Sequence, residues 1–305
     1  MDWQKGRQSD NVIEDDGSGG GGGYDGGGGL RFGGFHIGIG GIILIVIVSL
    51  LFGKNPLEIL SLLSGNGDVS APTQQAAPAP GTPSTSNDPQ HQFVRSILGS
   101  TEDVWGQYFQ ASGQRYEQPK LLLFHNRTQS GCGAASESMG PFYCPVDQRV
   151  YLDLDFFQEM DTRFHATGEF ARAYVIAHEI GHHVQKLTGE MDKVETARRR
   201  GAPMEGANGL SVRQELQADC FAGVWANRAR ANQDQLHVRI EESDIPSALN
   251  AAASVGDDTL QKQARGYAVP DSFTHGTSAQ RQRWFTAGFQ SGNINSCDTF
   301  SATSL

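Results

Sequence analysis

The sequence predicts an α+β fold: an α-rich domain with a small sheet, preceded by a single transmembrane helix. Three observations carry that reading. Long stretches of the second half place apolar residues at the three-and-four spacing of a helix, and two short runs have the pattern of strands. Residues 33–53, "GGFHIGIGGIILIVIVSLLFG", hold no Asp, Glu, Lys or Arg and have the length a helix needs to cross a bilayer. The 305 residues leave room for one domain of ordinary size with appendages.

In chain order, residues 1–32 read as a flexible N-terminus, because "GSGGGGGYDGGGG" at 17–29 cannot bury enough apolar surface to offset the backbone entropy of glycine. Residues 33–53 follow as the membrane span. Lys5, Arg7 and Arg31 precede it and Lys54 alone stands just after it, so the positive-inside rule puts the N-terminus in the cytoplasm. The expected location is then the bacterial inner membrane, single-pass, with the main domain periplasmic or extracellular. Residues 54–90 are rich in Pro, Ala, Ser and Thr, the composition of an extended tether, and residues 91–305 form the folded domain.

Within that domain, "FVRSILGSTEDVWGQYFQASG" predicts a helix with a break near Gly99. "KLLLFHN" predicts a strand, and "RVYLDL", with Val150, Leu152 and Leu154 alternating, a second. A helix from about Gly168 to Leu187 stops at Gly189, and another starts near Ser211, where "SVRQ" has the form of a capping box. "DIPSALNAAASVGDDTLQKQA" and "SAQRQRWFTAGFQSG" supply further helices. Four cysteines without CxxC spacing suit disulfides in an oxidising compartment, and Cys132 with Cys144, Cys220 with Cys297 is one of three pairings. The net charge of −10 argues against a nucleic-acid partner. Nothing in the sequence signals an oligomeric state.

The chemistry concentrates in "AHEIGHH". His178 and His182, four apart, lie about 40° apart around a helix and can grip one ion. Glu179, about 100° from His178, can lean over the open position of a metal, whereas His183 is about 140° away and stays outside the ligand set. The apolar surround matters, because buried imidazoles need partners. Zinc accepts neutral imidazole nitrogens, and a catalytic site asks for a third protein ligand. "RQELQADCFAG" offers Glu215 as that ligand and Asp219 as acceptor of a ligand histidine's second N–H.

The HEIGH helix followed by Glu-x-x-x-Asp resembles the gluzincin arrangement of thermolysin-like enzymes. Together with "GCG", "GPFYCP", "VYLDL" and "SFTHGTSAQRQRWF", the order of motifs is similar to the YpfJ-like neutral zinc metallopeptidases of bacteria. That resemblance implies a zincin-like peptidase domain, one Zn2+ per chain and a peptide or protein substrate. "SFTHGTSAQR" is also similar to the His-Pro-x-x-x-x-Arg block of HtpX-type membrane peptidases, with Gly276 in place of proline. It implies that His275 or Arg281 faces the zinc and stabilises the oxyanion; the alternative is a helix cap, with Arg281 on a surface carboxylate.

The expected activity is therefore peptide hydrolysis by zinc-activated water with Glu179 as general base, the strand at "RVYLDL" aligning the substrate as a sheet edge. Two other readings stand beside it: a catalytically silent zinc-stabilised binding module, and a zinc amidase acting on cell-wall peptides.

Overall fold

A computed structural model of the chain describes residues 1–15, 81–136 and 139–305. Its sheet begins with a segment expected to be unstructured. Val12–Asp15 (β1) pairs in parallel with Lys120–Phe124 (β3) and antiparallel with Gly81–Pro83 (β2). Arg127–Ser130 (β4) and Gly133–Ser136 (β5) form a separate hairpin. Phe142–Cys144 (β6) and Arg149–Asp153 (β7) complete the main sheet, whose order is β2-β1-β3-β7-β6.

Alternation sorts the side chains of this sheet. Val12, Leu121, Leu123, Val150 and Leu152 face the helical core, while Ile13, Leu122, Phe124 and Tyr151 form a second small cluster with Ala135 and Cys144. "LLLF" is thus buried on both faces, as an interior parallel strand requires.

The longer helices among the described residues are Pro89–Ala111 (α1), Phe156–Thr162 (α2), Glu169–Leu187 (α3), Glu190–Arg199 (α4), Leu210–Ala231 (α5), Ile245–Ser254 (α6), Asp257–Arg265 (α7) and Ser278–Ser291 (α8). α1 runs unbroken through Gly99. That glycine serves the N-terminus instead: a Cβ there would collide with the Arg7 carbonyl, and Arg7 Nη2 donates to the Gly99 carbonyl at 2.9 Å. Ser9 N donates to the Arg95 carbonyl at 3.0 Å, and Glu102, buried, accepts from Arg7, Ser9 and Asn11 at 2.7 Å each.

Among the described residues no helix is long and apolar enough to cross a membrane, and the span expected at 33–53 lies outside them. The single-pass topology falls on a second ground as well. Residues 1–15 belong to the same compact unit as the C-terminal domain, and a strand sharing ladder hydrogen bonds with β3 cannot lie across a bilayer from it. The fold is accordingly a mixed α/β arrangement, with no helix among the described residues long and apolar enough to cross a membrane. "RVYLDL" is also not an edge: β7 sits between β3 and β6, because "FYC" pairs antiparallel with it, so the edge on that side of the sheet belongs to β6. The Ser211 capping box does not form, since Gly209 is the N-cap of α5 without a side-chain bond. Such a box closes α8 instead, between Thr277 and Gln280.

Cys132 bonds Cys144 and Cys220 bonds Cys297. The first ties the β4–β5 hairpin to β6. The second ties α5 to the turn after α8.

Candidate metal centre

α3 and α5 cross at Gly181 and Ala218. A Cβ on Gly181 would stand 2.9 Å from the Ala218 carbonyl oxygen, so glycine in the HEIGH run permits the approach that brings the two helices' polar residues together. Within one turn of that crossing are His178 and His182 on α3 and Glu215 and Asp219 on α5. His178 Nε2 lies 3.2 Å from Glu215 Oε2, and His182 Nε2 lies 3.4 Å from Glu215 Oε1. One ligand atom from each of the three residues falls within 4.8 Å of the others.

The outer ring nitrogens are both engaged. His178 Nδ1 donates to Asp219 Oδ1 at 2.8 Å and His182 Nδ1 to Gln185 Oε1 at 2.8 Å, which turns both Nε2 atoms toward Glu215. A divalent ion that takes nitrogen and carboxylate ligands fits this donor set. A second cluster, His125, Asp153 and Asp155, is weaker: His125 and Asp155 are exposed, and both Asp153 oxygens already accept backbone N–H groups, from Asn126 and Asp155.

Charge follows the geometry. Burial pulls His178 down, but Asp219 and then Glu215 outweigh it and raise the imidazole to about 10. Burial likewise pushes Asp219 up, yet Arg281 and His178 hold it at about 2. Glu215 is held well below the ordinary carboxylate range by His182 and His178 despite its burial. Two ionised carboxylates around paired imidazoles make a cation-seeking pocket, in which a metal competes with protons. Glu179 differs: burial raises its carboxyl, with the two histidines only partly offsetting it.

His178, Glu179, His182, Glu215, His275 and Arg281 all line one cleft of about 1070 Å³. Its walls include residues 140–143 along the β6 edge and apolar side chains such as Phe156, Val175 and Met191. Arg281 departs from the surface-carboxylate alternative. It is buried and donates through Nε and Nη2 to Asp219 at 2.8 and 2.9 Å, rather than meeting a surface carboxylate. Those two nitrogens support Asp219, while Nη1 lies 3.5 Å from the Val255 carbonyl.

His275 is half-exposed on a loop whose Thr274, His275 and Gly276 N–H groups all donate to Asp257 Oδ2, at 2.7, 2.7 and 3.0 Å. Gly276 has φ of +90°, which proline cannot adopt, so this loop cannot share the backbone of the His-Pro block. The cap of α8 is Thr277, not His275.

Three participants escaped sequence reasoning. Tyr174 donates to Asp219 Oδ1 at 2.5 Å and sits one turn before His178; Gln185 sits three residues after His182. Both positions follow from helical spacing. Asp257 had no sequence signal.

His183 has a structural place. Tyr143 Oη lies 3.1 Å from its Nδ1, and its Nε2 donates to the Glu117 carbonyl at 2.6 Å, linking α3 to β6. Burial lowers it to about 4, partly offset by the Glu117 bond. Since the folded value lies below the ordinary 6.5, the unfolded chain binds the proton first. Stability is whole above pH 6.5 and lost as pH falls toward 4, by at most about 1.4 kcal/mol per unit. Unfolding of metal-free protein at pH 7 and pH 5 is expected to show a larger loss in the wild type than in His183→Gln; parallel losses would contradict this.

The chain matches, over residues 1–300, the family described as "Putative neutral zinc metallopeptidase". It is 46% identical over 300 residues to "Uncharacterized protein YpfJ" of Escherichia coli (strain K12), covering 98% of this chain and 99% of that protein. It is 50% identical over 196 residues to "Uncharacterized protein Rv2575" of Mycobacterium tuberculosis (strain ATCC 25618 / H37Rv), covering 62% of this chain and 65% of that one. No solved structure matches. A match that runs nearly end to end means that this chain belongs to the neutral zinc metallopeptidase family.

Proposed function

We propose that the protein hydrolyses peptide bonds at a zinc ion held by His178, His182 and Glu215, with Glu179 as general base. The observation that carries the reading is the convergence of those three ligands in a cleft that Glu179 also lines. Zinc, when bound there, supplies Lewis-acid polarisation of the scissile carbonyl and lowers the pKa of water.

The chain's own residues do the rest. A Glu179 carboxylate oxygen takes the proton of the attacking water and returns it to the leaving nitrogen; burial strengthens it as a base by raising its pKa. His275, tied at Nδ1 to Thr274 at 2.9 Å and near Asp257 at 3.4 Å, offers Nε2 to the developing oxyanion. The free edge of β6 lies along the cleft and aligns an extended substrate by strand addition. A general base in the cleft argues against a silent binding module, which has no use for one.

Incubation with a peptide library, and in parallel with cell-wall peptides, tests the reading. Library cleavage that a chelator abolishes and zinc restores is the expected result. Cleavage of cell-wall peptides alone would shift the reaction to amidase chemistry, and cleavage indifferent to chelation would overturn the reading.

A further inference from the structure

The two histidines are supported in unlike ways. His178 rests on a carboxylate, His182 on an amide, and that amide is the near end of a hydrogen-bond series. Gln185 Oε1 accepts from His182 Nδ1, while Gln185 Nε2 donates to the Gln214 carbonyl at 2.7 Å and to Gln217 Oε1 at 3.0 Å. Gln217 Nε2 in turn donates to the Cys297 carbonyl at 3.1 Å. Both glutamine side chains are buried.

Direction is forced along this series. A backbone carbonyl only accepts, so Cys297 O obliges Gln217 to present its NH2 there and its oxygen to Gln185. Gln217 Oε1 and Gln214 O then both demand the NH2 of Gln185, leaving Gln185 Oε1 for the imidazole. An acceptor at that place requires hydrogen on His182 Nδ1, so in the neutral ring that binds a metal the lone pair is on Nε2, the nitrogen that faces Glu215. The far end is fixed covalently, since Cys297 is bonded to Cys220, the residue after Asp219 on α5.

We infer that Gln185 and Gln217 are positioning residues for His182, transmitting the fixed orientation of the disulfide-held Cys297 carbonyl to the metal ligand. This rests on the metal-centre reading above. A neutral amide relay sets the tautomer without adding a further carboxylate to Glu179, Glu215 and Asp219. The Cys220–Cys297 bond is thereby part of the support of the metal centre as well as of the fold.

The test is the zinc dissociation constant of the full chain, measured by chelator competition, in Gln185→Met, Gln217→Met and the double variant. Gln185→Met is expected to weaken zinc binding about 10- to 100-fold, the usual effect of losing a ligand's outer partner. Gln217→Met is expected to weaken it several-fold, and to add nothing in the Gln185→Met background, because elements in series are not additive. Wild-type affinity in Gln185→Met, or additive losses, would overturn the relay; a role in packing alone would lower the metal-free protein's unfolding temperature and leave the dissociation constant unmoved. Should Gln185→Met fail to fold, Gln217→Met decides: a several-fold loss upholds the relay and unchanged affinity overturns it. A wild-type chain that binds no zinc would instead remove the metal centre itself.

Discussion

Glu179→Gln is expected to lower kcat for peptide hydrolysis by about 10²–10⁴-fold while zinc content stays at the wild-type level. The amide is nearly isosteric with the carboxylate, so the crossing of α3 and α5 and the three ligand positions are undisturbed. What it loses is the capacity to take a proton from water and deliver it to nitrogen. Glu179 is buried beside His178, His182 and Glu215, and its raised pKa places it nearer the working pH than an exposed glutamate. Single-turnover cleavage of a library-derived peptide, with metal analysis of the same sample, checks both halves. Retained turnover with zinc bound would assign the proton transfer elsewhere.

Arg281→Met is expected to destabilise the fold by about 3–5 kcal/mol, the usual cost of breaking a buried ion pair from one side. Asp219 is fully buried, and Arg281 supplies two of its four hydrogen bonds, the others coming from Tyr174 and His178. Without the guanidinium that carboxylate keeps its charge with only neutral donors or one imidazole to offset it. Denaturant unfolding of the metal-free protein measures the loss. Adding Asp219→Leu is expected to recover much of the stability, because no isolated charge remains, but not the metal affinity, because His178 then lacks its acceptor. A loss within about 0.5 kcal/mol, as at an exposed site, would mean that Asp219 is not held by this pair.

How far the sequence discloses this arrangement depends on whether contacts are local. His178 with His182, and Glu215 with Asp219, share a helix face at four-residue spacing, so their side-by-side presentation is readable from position alone. The partnership of Arg281 with Asp219 is not, because it depends on the close packing of α8 on α5. Gly223 and Gly288 allow that packing, since a Cβ on either would collide with the other helix's backbone. β1 was hidden for a different reason. Val12 and Ile13 stand between acidic and polar neighbours, too short a run to read as a strand, and β1 gains its place only by pairing with β3, over a hundred residues on. The edge strand is hard to read because "FYC" is only three residues long, whereas "RVYLDL" is the longer run; its near-continuous burial goes with the interior position it takes.

The most direct measurement is the zinc stoichiometry and affinity of the full chain beside His178→Ala and Glu215→Ala. The account expects one tightly bound zinc in the wild type and markedly weaker binding in both variants, because each supplies a ligand atom to the same cluster. Zinc held equally well by Glu215→Ala, or no zinc in the wild type, would contradict the His178–His182–Glu215 centre.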